Sequence, residues 1–228
     1  MPAMTWRGGL TALALASVVA SVGAWSQNTG SESKSPELVR DVISAREARE
    51  RLQRYHLPNV ELITHEGQKV RFYDDLVKDK KVVINFMYTK CTDGTCPLTT
   101  ANLVRLQHLL KDRVGRDFFF YSVTLTPEHD TPAVLKRYVK AFGVGPGWLF
   151  LTGKTEDIER LRRGLGFAYS DPAEDADKTN HIGMLRYGTE ALMFWGAAQG
   201  MANPQHLLRI LLWEFDRPLP IEARRPPV

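Results

Sequence analysis

One stretch constrains this chain more than any other: Val82-Val83-Ile84-Asn85-Phe86-Met87-Tyr88-Thr89-Lys90-Cys91-Thr92-Asp93-Gly94-Thr95-Cys96-Pro97-Leu98. It begins as an apolar run rich in β-branched and aromatic side chains, which reads as a buried strand. A short polar loop carrying Asp93 and Gly94 follows. Cys96-Pro97 then opens a run with helical apolar spacing at Leu103, Leu106 and Leu110. Pro97 suits a first helical turn, where its missing N–H costs nothing. The pattern is strand, loop, helix, and Cys91 and Cys96 are the only cysteines in 228 residues.

A thiol at a helix start meets unpaired N–H groups and the positive end of the helix dipole, which favours the thiolate. Two such thiols can close a disulfide or hold a soft metal ion. A purely structural crosslink is the plainest alternative. A stabilising crosslink gains most by closing a long loop, however, and this loop is very short. Redox or metal work fits the pair better.

The length suits one folded domain with an N-terminal extension, and 43% apolar residues suffice for one core. Thirty basic against 26 acidic residues leave +4. The basic residues are scattered and no nucleic-acid-binding signature accompanies them, which argues against a nucleic-acid partner. Residues 1–27 carry Arg7, then an apolar stretch over residues 10–22 and small residues at Ser21-Val22-Gly23-Ala24. This reads as a signal peptide or an uncleaved N-terminal membrane anchor, and export implies an oxidising compartment. Residues 28–57 read as a polar tether followed by a charged helix, 58–217 as the folded domain, and 218–228 as a Pro-rich tail.

Within the domain, residues 60–64 and 69–72 read as a hairpin, and 74–81 as a connector into the central strand. Residues 117–125 and 148–151 are further strands. Thr131-Pro132 caps a helix that Gly143 closes. Residues 156–163 form a helix whose Arg160, Arg162 and Arg163 are expected to face solvent, and residues 171–177 an acidic loop. Residues 181–187 and 190–195 are expected to pair around Gly188. Asn203-Pro204 opens a last helix to Phe215. The order implies parallel pairing among the early strands and an antiparallel late edge. That is an α/β fold: a thioredoxin-like mixed sheet flanked by helices, with an N-terminal hairpin extension.

Several motifs then fall in one order: Phe86-Met87-Tyr88-Thr89, Cys91…Cys96-Pro97, Thr126-Pro127-Glu128-His129-Asp130-Thr131-Pro132, Phe142-Gly143…Gly147-Trp148…Leu151-Thr152-Gly153 and Asn180-His181. Over about residues 58–215 the chain resembles the Sco/SenC family, thioredoxin-fold copper proteins that help build the copper centre of cytochrome c oxidase. The resemblance implies a copper site of Cys91, Cys96 and His181, serving Cu(I) and Cu(II). It also implies a respiratory oxidase copper-centre subunit or another copper carrier as partner, with a thiol reductant as a further one. The implied location is periplasmic or exported, anchored to the inner membrane if the N-terminal segment is retained, or alternatively the mitochondrial intermembrane space. One departure stands out: the family's cysteines usually have three residues between them, and here Thr92, Asp93, Gly94 and Thr95 make four. The extra residue either bulges out or displaces Cys91.

Thioredoxin-type oxidoreductases usually carry a cis proline where this chain has Asn180-His181. Imidazole suits both copper oxidation states and thiolates suit Cu(I), so Cys-Cys-His can hold copper through a redox change. Taken by itself, without the resemblance, His181 reads more readily as a surface or hydrogen-bonded histidine. His56, His65, His108 and His206 read as surface or helix positions; His129, just before a helix N-cap, is within reach of the site but reads better as solvent-exposed. Met184, Met193 and Met201 offer soft sulfurs for Cu(I), but read better as core fillers. Asp93 reads either as an acceptor tuning the loop or as an ordinary turn residue. Two functions follow from different classes. One is an exported copper metallochaperone. The other is a thiol–disulfide oxidoreductase or thiol peroxidase using Cys91 and Cys96, which has no need of His181.

Overall fold

A computed structural model describes residues 44–177 and 183–216. The central strand β3 (Lys81–Met87) is buried from Val82 onward, which explains its unbroken apolar sequence. It pairs in parallel with β4 (Phe119–Thr124), and β4 pairs in parallel with β5 (Trp148–Gly153). On its other side β3 meets β6 (Met184–Thr189) antiparallel, and β6 meets β7 (Phe194–Gln199) antiparallel. The early hairpin, β1 (Glu61–Thr64) with β2 (Lys69–Arg71), joins the opposite edge through an antiparallel β1–β5 ladder. The seven strands run β2-β1-β5-β4-β3-β6-β7. This is the thioredoxin-like mixed sheet that the strand order implied.

The helices are α1 (Ala45–His56), α2 (Thr95–Leu110), α3 (Pro132–Phe142), α4 (Thr155–Gly164), the short α5 (Pro172–Ala176) and α6 (Pro204–Phe215). α2 packs with α6 and α3, while α1 packs with α4. Helix ends follow local chemistry. The Thr131 hydroxyl accepts the N–H of Val134, Pro132 begins α3, and Gly143 closes it at φ 64°. Asn203 caps α6 in the same manner. None of the described helices is long and apolar enough to cross a membrane, and the expected targeting segment lies outside the described residues.

Several expectations are corrected. The late hairpin turns at Glu190–Leu192, not at Gly188. Gly188 lies within β6 opposite Trp195, where a Cβ would sit 2.5 Å from the indole ring, so glycine serves close packing there. Glu190 at the turn is fully buried and accepts from Arg49 and Tyr73, each at 2.8 Å, and from the Asp79 N–H at 2.9 Å. The connector after β2 is a π-helical turn (Phe72–Val77) that buries Phe72, Leu76 and Val77.

Arg162, expected in solvent, is buried, and so is Asp175 of the acidic stretch. They form a bidentate pair at 2.7 and 2.5 Å. Arg163 adds a 2.7 Å contact to Asp175, and the Tyr169 N–H donates to it at 2.8 Å. His65, expected at the surface, is also buried: its Nδ1 accepts the Phe150 N–H at 3.2 Å, and burial pushes its pKa down.

Candidate dithiol site

The site begins where β3 leaves the sheet. Leu125 N–H donates to the carbonyl of Met87 at 2.8 Å, so the ends of β3 and β4 stay together. Just beyond, Thr89 is held by Asp130: its N–H reaches Oδ2 at 3.1 Å and its hydroxyl reaches Oδ1 at 2.5 Å. Thr124 and Thr126 donate to the same carboxylate at 2.6 and 3.2 Å. Asp130 is fully buried, and among the described residues no basic side chain lies within ion-pair distance of it. Asp130 belongs to the motif at residues 126–132, whose pattern alone assigns it no role. The sequence signal was there: an aspartate closely preceded by two threonines, with a third at the end of the neighbouring strand.

The chain then turns through the cysteine loop. Gly94 sits at φ 82°, a left-handed conformation that suits glycine, and its carbonyl accepts the Leu98 N–H at 3.0 Å to start α2. No side chain caps the helix from position 94; instead Asp93 Oδ1 takes the Thr95 N–H at 2.9 Å. The same oxygen accepts the Cys91 thiol at 2.7 Å. Asp93 therefore serves both as the turn residue and as a partner of the thiol.

The two cysteines lie together. The Cys96 N–H donates to Cys91 Sγ at 3.2 Å. The four-residue spacer thus leaves Cys91 over the helix start. Cys91 is half-buried and Cys96 is 2% exposed. The expected acidity of Cys96 is corrected. Burial pushes its thiol up, and the Tyr88 N–H that donates to its sulfur only partly offsets this. Desolvation outweighs the helix start because the sulfur is sealed in the core rather than held at the rim. Burial also lifts the Tyr88 phenol to about 12, reinforced by its contact with Cys91.

His181 lies outside the described residues. Two residues further along the chain, Gly183 lies against the start of α2: a Cβ there would sit 3.2 Å from the Thr95 methyl. The Gly183 carbonyl accepts the Gly200 N–H at 3.0 Å, and Asn102 of α2 holds the carbonyls of Gly200 and Ala202 at 2.9 and 2.6 Å. Among the described residues no three or more His, Cys, Asp or Glu side chains gather in a way that could hold a metal ion.

The other candidates are dispersed. His129 is half-buried in the loop that Asp130 closes, while His108 and His206 are exposed on α2 and α6. His56 Nδ1 faces the Gly164 carbonyl at 3.3 Å. Of the methionines read as core fillers, Met184 packs against the core and Met201 is 55% exposed.

With this geometry in view, the profile of the SCO1/SenC family matches residues 49–208. The chain belongs to the SCO1/SenC family. A Stutzerimonas stutzeri relative named "Putative copper-binding protein" is 29% identical over 132 residues, 57% of this chain and 62% of that one. The chain spans less than two thirds of the length of the curated relatives it matches, from 62% down to 31% in those compared. Among solved structures, yeast Sco1 with copper bound superposes with TM-score 0.58 at 21% identity, over 73% of this chain and 92% of that one. BsSco, described as having a disulfide switch and as a member of the Sco family of cytochrome c oxidase assembly proteins, superposes with TM-score 0.56 at 22% identity, over 69% and 91%. At these identities the superpositions establish a shared fold.

Proposed function

We propose that this SCO1/SenC protein is an exported copper metallochaperone that assists assembly of a respiratory oxidase copper centre. Copper is its cargo, held by Cys91, Cys96 and His181. The observation that carries the reading is the dithiol: the only two cysteines of the chain meet at a helix start, with Cys91 Sγ 3.2 Å from the Cys96 N–H. The donor set fits the metal, since paired sulfurs suit Cu(I) and an added imidazole suits Cu(II). Gly183, where a Cβ would sit 3.2 Å from the Thr95 methyl, is two residues from His181, so chain connectivity gives that imidazole a short tether to the sulfurs. Names and titles of several relatives mention copper, and the N-terminal sequence supports export.

Each thiol must lose its proton before binding metal. Asp93 is in hydrogen-bond contact with the Cys91 thiol, while burial holds the proton on Cys96. Loading is therefore coupled to proton release.

The test is anaerobic titration of the reduced protein with Cu(I), metal analysis after desalting, and a matching Cu(II) titration of His181→Ala. One copper per chain is expected, with Cu(II) binding weakened more than Cu(I) binding by the substitution. A His181→Ala protein that binds both states like the wild type refutes the ligand set. The adjacent thiols also support a second reading, reversible thiol–disulfide exchange, which is compatible with the first.

A further inference from the structure

We infer that Asp130 is a positioning residue for the dithiol, setting how readily Cys91 and Cys96 interconvert between thiols and disulfide. The inference rests on the dithiol part of the proposed function. Asp130 touches neither sulfur in any contact described above. It acts through Thr89, two residues before Cys91, by fixing both the N–H and the hydroxyl of Thr89 to one buried carboxylate. The carboxylate is itself fixed from the opposite side by Thr124 and Thr126. The Asp130 N–H closes the arrangement on the Thr126 carbonyl at 2.8 Å. The base of the cysteine loop is thus riveted to the end of β4, and β4 belongs to the rigid centre of the sheet.

This matters because the two cysteines are held from different ends. Cys96 is fixed by α2 and its burial. Cys91 sits in the loop, one residue beyond exposed Lys90, and its approach to Cys96 depends on where Thr89 leaves it. A fixed Thr89 keeps Cys91 Sγ over the Cys96 amide and raises the effective concentration of one sulfur at the other. Releasing Thr89 lets the loop wander, which disfavours ring closure and makes the disulfide easier to reduce.

In the exchange with glutathione disulfide, Cys91 and Cys96 lose two electrons and two protons and form one S–S bond. The glutathione disulfide bond breaks and yields two glutathione thiols. The experiment equilibrates the whole protein in glutathione buffers and measures the oxidised fraction by thiol trapping and mass spectrometry. Asp130→Ala is expected to weaken the disulfide about tenfold, a rise of about 30 mV in reduction potential. Asp130→Asn is expected to stay within about twofold of wild type, because the amide fills the same space and the threonine hydroxyls can reverse their donor roles. Should Asp130→Ala fail to fold, Thr89→Val removes one of the two rivets and leaves the carboxylate in place. It is expected to move the potential in the same direction by a smaller amount. Thr124→Val is expected to lower thermal stability and to move the potential less than Thr89→Val does, because Thr126 still holds the carboxylate.

Asp130→Ala, or Thr89→Val in its place, with a wild-type potential and only a lower melting temperature would overturn the inference and make Asp130 a purely structural group. So would Thr124→Val shifting the potential as much as Thr89→Val. A wild-type protein that forms no reversible disulfide would instead overturn the dithiol reading itself, and the inference with it.

Discussion

Replacing Asp175 by asparagine tests whether the buried Arg162–Asp175 pair is a structural keystone. Asp175 accepts two bonds from Arg162, one from Arg163 and one from the Tyr169 N–H. An asparagine fills the space but removes the charge and one acceptor oxygen. Breaking a buried pair in this way costs about 3–5 kcal/mol, because the partner is left charged in low dielectric. Arg162 keeps Glu159 at 2.9 and 2.7 Å and the Phe167 carbonyl at 2.8 Å, which places the loss at the low end, about 3 kcal/mol. At about 2–4 °C per kcal/mol for a domain of this size, melting should fall by about 6–12 °C.

The pH dependence gives an independent check. The Arg162 guanidinium holds the Asp175 carboxyl well below the usual carboxylate range. A lowered folded-state pKa means the contribution is complete above the unfolded pKa, about 4, and disappears as pH falls below it towards the folded-state value. Urea unfolding of wild type and Asp175→Asn should therefore show a constant gap between pH 5 and 8 that narrows below about pH 4. A gap under about 0.5 kcal/mol at pH 7, or one that widens in acid, would refute the reasoning.

Three further outcomes are expected. Gly188→Ala places a methyl group 2.5 Å from the Trp195 ring and 2.6 Å from the Phe194 carbonyl, and should cost about 1–3 kcal/mol in thermal or urea unfolding. Apparent Cu(I) affinity, measured by chelator competition, should rise from pH 6 to pH 8, because burial keeps the Cys96 proton in place throughout that range; a flat profile would contradict the proton coupling. Cys91→Ser should keep the fold, since Cys91 is a half-buried loop residue, while losing both disulfide formation under mass spectrometry and tight Cu(I) binding.

The parts of the fold legible in the sequence were those written in local patterns. The run at 82–87 gave the central strand, and Thr131, Pro132 and Gly143 marked both ends of α3. The parts that were not legible depend on partners distant along the chain. Nothing near Arg162 distinguishes it from Arg160 and Arg163, because its burial is decided by Asp175. Glu190 is buried because Arg49 and Tyr73 come to it from the other end of the domain. At the site, the neighbouring cysteines were visible from spacing. The high pKa of Cys96 was not, because helix position is a local property and desolvation belongs to the whole core.

The position of β3 has a consequence for the order in which the chain is made. Its parallel partner β4 follows soon after it, but its antiparallel partner β6 arrives only once Met184–Thr189 has emerged, long after β4. Such distant pairings are slow to form. Cys91 and Cys96, separated by four residues, can meet long before then. Under the proposed export to an oxidising compartment, a newborn chain would be able to close a disulfide before its sheet is complete, and the finished protein would then need electrons from outside before both sulfurs became available to the proposed metal.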